Sequence, residues 1–165
     1  MKKKITQTAD FSDSIQLICF KLGAEEYGFD IMQIKEIMRY QKITPIPKAA
    51  SFIEGVINLR GMVIPVIDLR KRFELPVDVN IKCRIIIAQV ETKIVGLIID
   101  DVTDIVTLPK TSILPSPKTV KGVEVEYLDG MADMERGLLL VLNLNRLLTA
   151  EEKGAIDESL ERGKK

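Results

Sequence analysis

Apolar residues fall in short runs along this chain, divided by glycines, prolines and charged pairs. Runs rich in Ile, Val and Leu read as β-strands buried on at least one face. Residues 15–22 predict a strand, 23–26 a turn, and 27–30 the start of a return arm. Ile31, Ile34 and Met38 recur at helical spacing, so residues 31–39 read as a short helix. Ile43-Thr44-Pro45-Ile46-Pro47 must be extended, because proline disfavours helix in the residue before it. Residues 55–59 and 63–70, joined at Arg60-Gly61, predict a β-hairpin in which Gly61 supplies a positive φ. Pro65 cannot donate to a ladder, which puts its arm at a sheet edge or gives it a bulge. In the second half, residues 84–90, 94–99 and 138–144 are apolar enough for buried strands. Residues 102–108 are a short apolar element, and 123–127 alternate at period two. Thr149 followed by Glu152 fits a capping box and predicts a helix near 149–161.

The order strand, strand, short element, proline loop, hairpin occurs twice. Tyr27-Gly28-Phe29 with Ile34-Lys35-Glu36-Ile37 answers to Val95-Gly96-Leu97 with Val102-Thr103-Asp104-Ile105. Gly55 with Ile67-Asp68-Leu69-Arg70 answers to Gly130 with Leu142-Asn143-Leu144-Asn145. The repeats cover about residues 15–75 and 84–148, and each is marginal for a core of its own. Two small barrels packed on each other are the physical expectation, within one domain over 15–148. Residues 1–14 form a polar tail and 149–165 a C-terminal helix and tail. At the hairpin corner the repeats differ: Arg60-Gly61 faces Glu135-Arg136-Gly137, which reads as one residue longer and of mixed charge. Arg60 is thus carried at that corner by one half alone.

Composition narrows the function. Lys+Arg and Asp+Glu both number 24, so the balanced charge leaves no footprint for nucleic acid. No run approaches a membrane span, and the Met1-Lys2-Lys3-Lys4 start has no apolar stretch behind it, so the cytoplasm is the expected place. Cys19 and Cys83 read as buried, idle thiols. With no histidine, the commonest general base is missing. No nucleophile elbow or phosphate loop is present. Asp100, Asp101 and Asp104 are the best candidates for a metal or acid–base site, although neighbours on a strand point to opposite faces. No catalytic residue, metal or cofactor is expected. What the chain offers is apolar surface with a charged rim at Glu36, Arg60 and Asp104, as protein interfaces show.

Gly55-Val56-Ile57-Asn58-Leu59-Arg60-Gly61, then Val63-Ile64-Pro65-Val66-Ile67-Asp68-Leu69-Arg70, closely resembles the signature of the chemotaxis coupling family CheW. The stretches 25–37 and 95–102 look like its earlier and later blocks. The resemblance implies two five-stranded SH3-like barrels with strands exchanged between the halves. It also implies a scaffold that bridges transmembrane chemoreceptors and the histidine kinase CheA, whose regulatory domain has the same fold. Rings of this chain, with or without the kinase, can then form within receptor arrays. The groove between barrels would take the tip of a receptor's helical hairpin. The expected partner-binding residues are Ile34, Glu36, Ile37, Asn58, Leu59, Arg60, Gly61, Val102, Asp104 and Ile105. A coupling protein of a non-chemotactic pathway is an alternative.

Overall fold

The structure is a computed structural model that describes residues 13–77, 83–115, 119–120, 123–124 and 127–163. Its strands are β1 (Ser14–Leu22), β2 (Glu25–Asp30), β3 (Ile34–Arg39), β4 (Ile53–Leu59), β5 (Met62–Asp68), β6 (Arg84–Val90), β7 (Lys93–Ile99), β8 (Asp101–Pro109), β9 (Thr119–Val120), β10 (Val123–Glu124), β11 (Leu128–Met134) and β12 (Gly137–Leu142). A one-turn helix α1 (Leu69–Arg72) follows β5, and helix α2 (Ala150–Gly163) comes last. One five-stranded sheet has the order β11-β12-β2-β1-β8, and the other has β3-β6-β7-β5-β4. The halves therefore exchange strands: β1 and β2 join the second half's sheet, and β6 and β7 join the first half's.

Each sheet closes on itself through one bridge. Thr44, beyond β3, exchanges both backbone hydrogen bonds with Val56 on β4 at 2.8 and 2.9 Å. Leu114, beyond β8, does the same with Met131 on β11, both at 2.8 Å. The repeat extends to the irregularities. The β3 ladder shifts register between Ile34 and Glu36, and the β8 ladder shifts between its equivalents Val102 and Asp104. Shifts also fall before Gly55 and before Gly130.

Strand alternation explains why the apolar runs are continuous. Leu17 and Cys19 point into the first barrel, with Ala132, Leu139 and Val141. Ile18, Phe20 and Leu22 point the other way, into a core shared with Ile86, Ala88 and Leu97 of the second barrel. Ile57, Ile64, Val66, Ile85, Ile87 and Ile98 fill the second barrel itself. A strand buried on both faces needs no polar alternation. Each large side chain here (Ile, Leu, Val or Phe) contributes roughly 1.5–3 kcal/mol when buried, so the shared core holds the two barrels together. Cys19 and Cys83 are buried and not joined in a disulfide, and Cys83 Sγ accepts from Arg70 Nη1 at 3.4 Å.

Two expectations are overturned. Residues 31–39 are not a helix: Ile31–Gln33 is a single 3-10 turn capped by Asp30, and Ile34–Arg39 is strand β3. The apolar spacing was compatible with a helix, but pairing with β6 satisfies this segment's backbone, and burial follows period two. Nor is Pro65 at a sheet edge or a bulge, because β5 lies between β4 and β7. Pro65 faces Val56, whose amide and carbonyl both turn away to Thr44. The β5–β7 ladder begins only at Val66, so no partner asks Pro65 for a proton. Of the alternating stretch 123–127, Val123–Glu124 pairs with β9, and residues 125–126 lie outside those described.

The capping box is present: the Glu152 amide donates to Thr149 Oγ1 at 3.1 Å, and the Thr149 amide donates to Glu152 Oε1 at 2.9 Å. Glu152 also receives both Nη groups of Arg72, each at 2.6 Å, and Ile156 is fully buried in the shared core. Burial raises the Glu152 pKa, but Arg72 and the Thr149 amide outweigh it and hold the carboxyl below its ordinary 4.5. A carboxylate with a depressed folded pKa contributes fully above its unfolded pKa and loses that contribution as pH falls through the folded value. On acidification, α2 should therefore lose hydrogen-exchange protection before the sheets do. In Arg72→Met the loss should begin at higher pH. Simultaneous loss from α2 and the sheets, unchanged by Arg72→Met, would rule out this link.

Candidate protein-interaction site

The hairpin corner is a two-residue turn. Leu59 pairs with Met62, and both central residues have positive φ, 51° at Arg60 and 86° at Gly61. That combination matches the right-handed twist of the arms, at a steric cost to the arginine that a glycine would avoid. Asn58 Oδ1 accepts from the Gly61 amide at 2.9 Å and fixes the turn. Arg60 Nη2 donates to Glu36 on β3. This ion pair spans the seam where β3 and β4 close the second barrel. It holds the Glu36 carboxyl below the usual carboxylate range. The Arg60 side chain stays 71% exposed, so most of its surface is free for contact.

The other barrel has the same corner, which the sequence reading missed. Met134 pairs with Gly137, so Glu135-Arg136 is also a two-residue turn and not a longer one. Arg136 Nη1 donates to Asp104 at 3.0 Å, and Arg136 Nε donates to Glu26 at 2.8 Å. Asp104 is the repeat equivalent of Glu36. Each barrel thus ties an arginine of its hairpin turn to the acid that follows the register shift of its closing strand. The expectation that only one half carries such an arginine is wrong. Arg136 occupies the position that answers to Gly61, one step along the turn from the Arg60 equivalent. Comparing positions one by one hides it; comparing Glu36 with Asp104 would have found it.

The ten expected site residues divide between the sheets. Glu36 and Arg60 are bonded to each other, as are Asn58 and Gly61. Ile37 is exposed on β3, next to Glu36 and so on the opposite face. Ile34 and Leu59 are half-buried and pack on the cores. Val102, Asp104 and Ile105 lie on β8 in the other sheet, with Val102 packed on the shared core and Ile105 exposed. Arg136 lowers the Asp104 pKa, and the Ile105 amide adds to the effect.

The aspartates weighed as a metal or acid–base site do not converge. Asp100 accepts from Arg70 and from the Gly23 amide, while Asp104 accepts from Arg136. Among the described residues no three acidic or cysteine side chains gather as metal ligands would.

Comparison with known proteins agrees with the geometry. The model of the CheW-like domain matches residues 16–152. The chemotaxis protein CheW of Klebsiella aerogenes is 34% identical over 143 residues, which is 86% of each chain. That of Bacillus subtilis is 35% identical over 145 residues, 87% of this chain and 93% of its own. The crystal structure of the scaffolding protein TtCheW from Thermoanaerobacter tengcongensis superposes with a TM-score of 0.76 at 34% identity, over 84% of this chain and 90% of that one. Both five-stranded sheets, the strand exchange and the paired corners fall inside the matched span, and the chain belongs to the CheW-like domain family.

Proposed function

We propose that this chain is a non-enzymatic adaptor that couples transmembrane chemoreceptors to the histidine kinase CheA in chemotaxis signalling. The observation that carries this is the family match across both barrels, residues 16–152, with relatives named chemotaxis protein CheW over nearly their whole length. The adaptor works in the cytoplasm and is recruited to receptor arrays; no helix among the described residues is long and apolar enough to cross a membrane. The geometry suits a scaffold. Each corner presents a charged pair of fixed orientation, and the strands it ties carry exposed apolar residues, Ile37 and Met62 in one barrel and Ile105 and Leu138 in the other. A rigid strand edge of this kind loses little entropy when a partner docks. One partner is the kinase's regulatory domain, and the other is the tip of a receptor's helical hairpin. Rings built from this chain, alone or with the kinase, are a further consequence of the reading.

The test is retention of both partners by the purified chain at tens of micromolar, a range suited to transient interfaces. Addition of the chain to receptor and kinase should raise kinase activity. Retention of neither partner would overturn the proposal. Arg60→Ala should weaken receptor coupling several-fold. Its melting temperature should stay within about 2 °C of the native chain's, because an exposed ion pair contributes little to stability and alanine still carries the positive-φ strain. A large drop in melting temperature with coupling intact would make Arg60 a brace only.

A further inference from the structure

We infer that Arg136 is a positioning residue for partner binding, acting through Asp104 and Glu26 to fix the β8 edge that carries Ile105. This inference rests on the coupling function proposed above. Among the described residues, strand β8 is the outer strand of its sheet, paired with β1 and closed through Leu114 and Met131. Its register breaks at Thr103, two residues before Ile105, which stands 53% exposed. The Arg136 guanidinium spans this break. It holds Asp104 Oδ2 from β8 at 3.0 Å and Glu26 Oε1 from β2 at 2.8 Å. The other oxygen of Glu26 accepts from the Thr103 hydroxyl, and Asp104 Oδ1 accepts from the Ile105 amide at 2.8 Å. Both residues before Ile105 are therefore pinned through one arginine.

Folding accounts for this arrangement only in part, through the Arg136 pair with Glu26, whose side chain is 11% exposed. The Arg136 and Asp104 side chains are 44% and 43% exposed, where solvent screens the pair. The same tie nevertheless occurs at both corners, with the arginine at a different turn position each time. What the two corners share is a guanidinium that fixes the acid next to an exposed isoleucine, Ile37 in one barrel and Ile105 in the other. Holding that edge still before docking lowers the ordering cost of binding. With Arg60 proposed above to serve receptor coupling and bonded to Glu36 on β3, the like-built β8 is assigned to the receptor hairpin rather than to the kinase.

The experiment compares the native chain with Arg136→Ala, Arg136→Lys, Asp104→Ala and the Arg136→Ala/Asp104→Ala double variant. Affinity for a receptor hairpin fragment and for the kinase regulatory domain is measured on each, together with melting temperature and amide exchange. Arg136→Ala should weaken hairpin binding about three- to tenfold, the cost of ordering one or two side chains. Exchange at Thr103, Asp104 and Ile105 should speed up, with kinase-domain binding and melting temperature close to native. Arg136→Lys should recover part of the affinity. In the Asp104→Ala background, Arg136→Ala should add less than it does alone. Unchanged hairpin affinity, equal loss of both partners with a lowered melting temperature, or a loss confined to the kinase domain would each overturn the inference. A native chain that binds neither partner would overturn the coupling function, and this inference with it.

Discussion

Gly55→Ala is expected to destabilise the fold by about 3 kcal/mol or more, a fall in melting temperature of roughly 6–12 °C. A Cβ at this position would lie 2.2 Å from the Thr44 carbonyl oxygen and 2.8 Å from its carbon. Both are backbone atoms, and they belong to the residue whose two hydrogen bonds to Val56 close the barrel. Relief therefore means opening the seam rather than turning a side chain. The same geometry recurs in the other barrel, where a Cβ on Gly130 would lie 2.5 Å from the Leu114 carbonyl oxygen. Gly130→Ala should follow the same course with a somewhat smaller loss. Gly61→Ala is the control. Its φ of 86° is unfavourable for alanine, but nothing lies within 4 Å of the added methyl, so backbone strain of about 1 kcal/mol is all it should lose. Urea denaturation of the three variants checks the order. If Gly55→Ala cost no more than Gly61→Ala, barrel closure through Thr44 would not be what the glycine is for.

These glycines mark how far the sequence could be read. The pairing of Gly55 with Gly130 was visible as part of a repeat, because a glycine at matched places in two β-rich halves is a local signal. The reason for it was not visible, since Thr44 and Leu114 reach those positions only after each sheet has curled on itself. The strand exchange was hidden likewise. Alternation and turn residues mark where strands begin and end, but nothing local says that β1, besides its hairpin partner β2, pairs with β8 of the other half; it came with the family resemblance. The segment 31–39 failed because Ile31, Ile34 and Met38 satisfy a helical period, while the β6 edge that claims the segment lies fifty residues away. At the interaction site, Arg60 stood out as a charge in an apolar hairpin. Arg136 did not, because its turn already held a glutamate and seemed longer. Only the paired register of β11 and β12 shows the two turns to be equal.

Arg70→Ala should cost about 3–5 kcal/mol, the loss usual when one member of a buried ion pair is removed. Arg70 is 1% exposed and Asp68 is 4% exposed. The guanidinium grips Asp68 through two parallel bonds, Nε to Oδ1 and Nη2 to Oδ2, both 3.0 Å. Burial disfavours the charged guanidinium, but the Asp68 carboxylate more than offsets this and keeps its pKa above the ordinary value. Nη1 turns to Asp100 Oδ1 at 3.3 Å. Asp100 sits where the chain leaves β7 of one sheet for β8 of the other, and its second oxygen accepts from the Gly23 amide at 2.8 Å. Arg70 therefore joins the end of β5 to the crossover between the barrels. Without it, Asp68 keeps a buried charge whose remaining donor among the described residues is the amide of residue 70, at 2.9 Å. The double variant Asp68→Asn/Arg70→Met separates the ion pair from its packing. Asparagine can still cap α1, methionine fills part of the space, and no charge is left buried. Its denaturation midpoint should lie above that of Arg70→Ala. Equal midpoints would mean that the guanidinium acts through volume rather than charge. The repeat supplies the internal comparison: Asn143 and Asn145 answer to Asp68 and Arg70, and Asn143 caps its own turn through the Arg146 amide at 3.2 Å with no buried pair. The barrel built on β11 and β12 folds with an amide at this place, so a local cap is all that closing a barrel requires. The buried charge pair is an addition in the barrel built on β4 and β5, where the chain must also be held to the crossover.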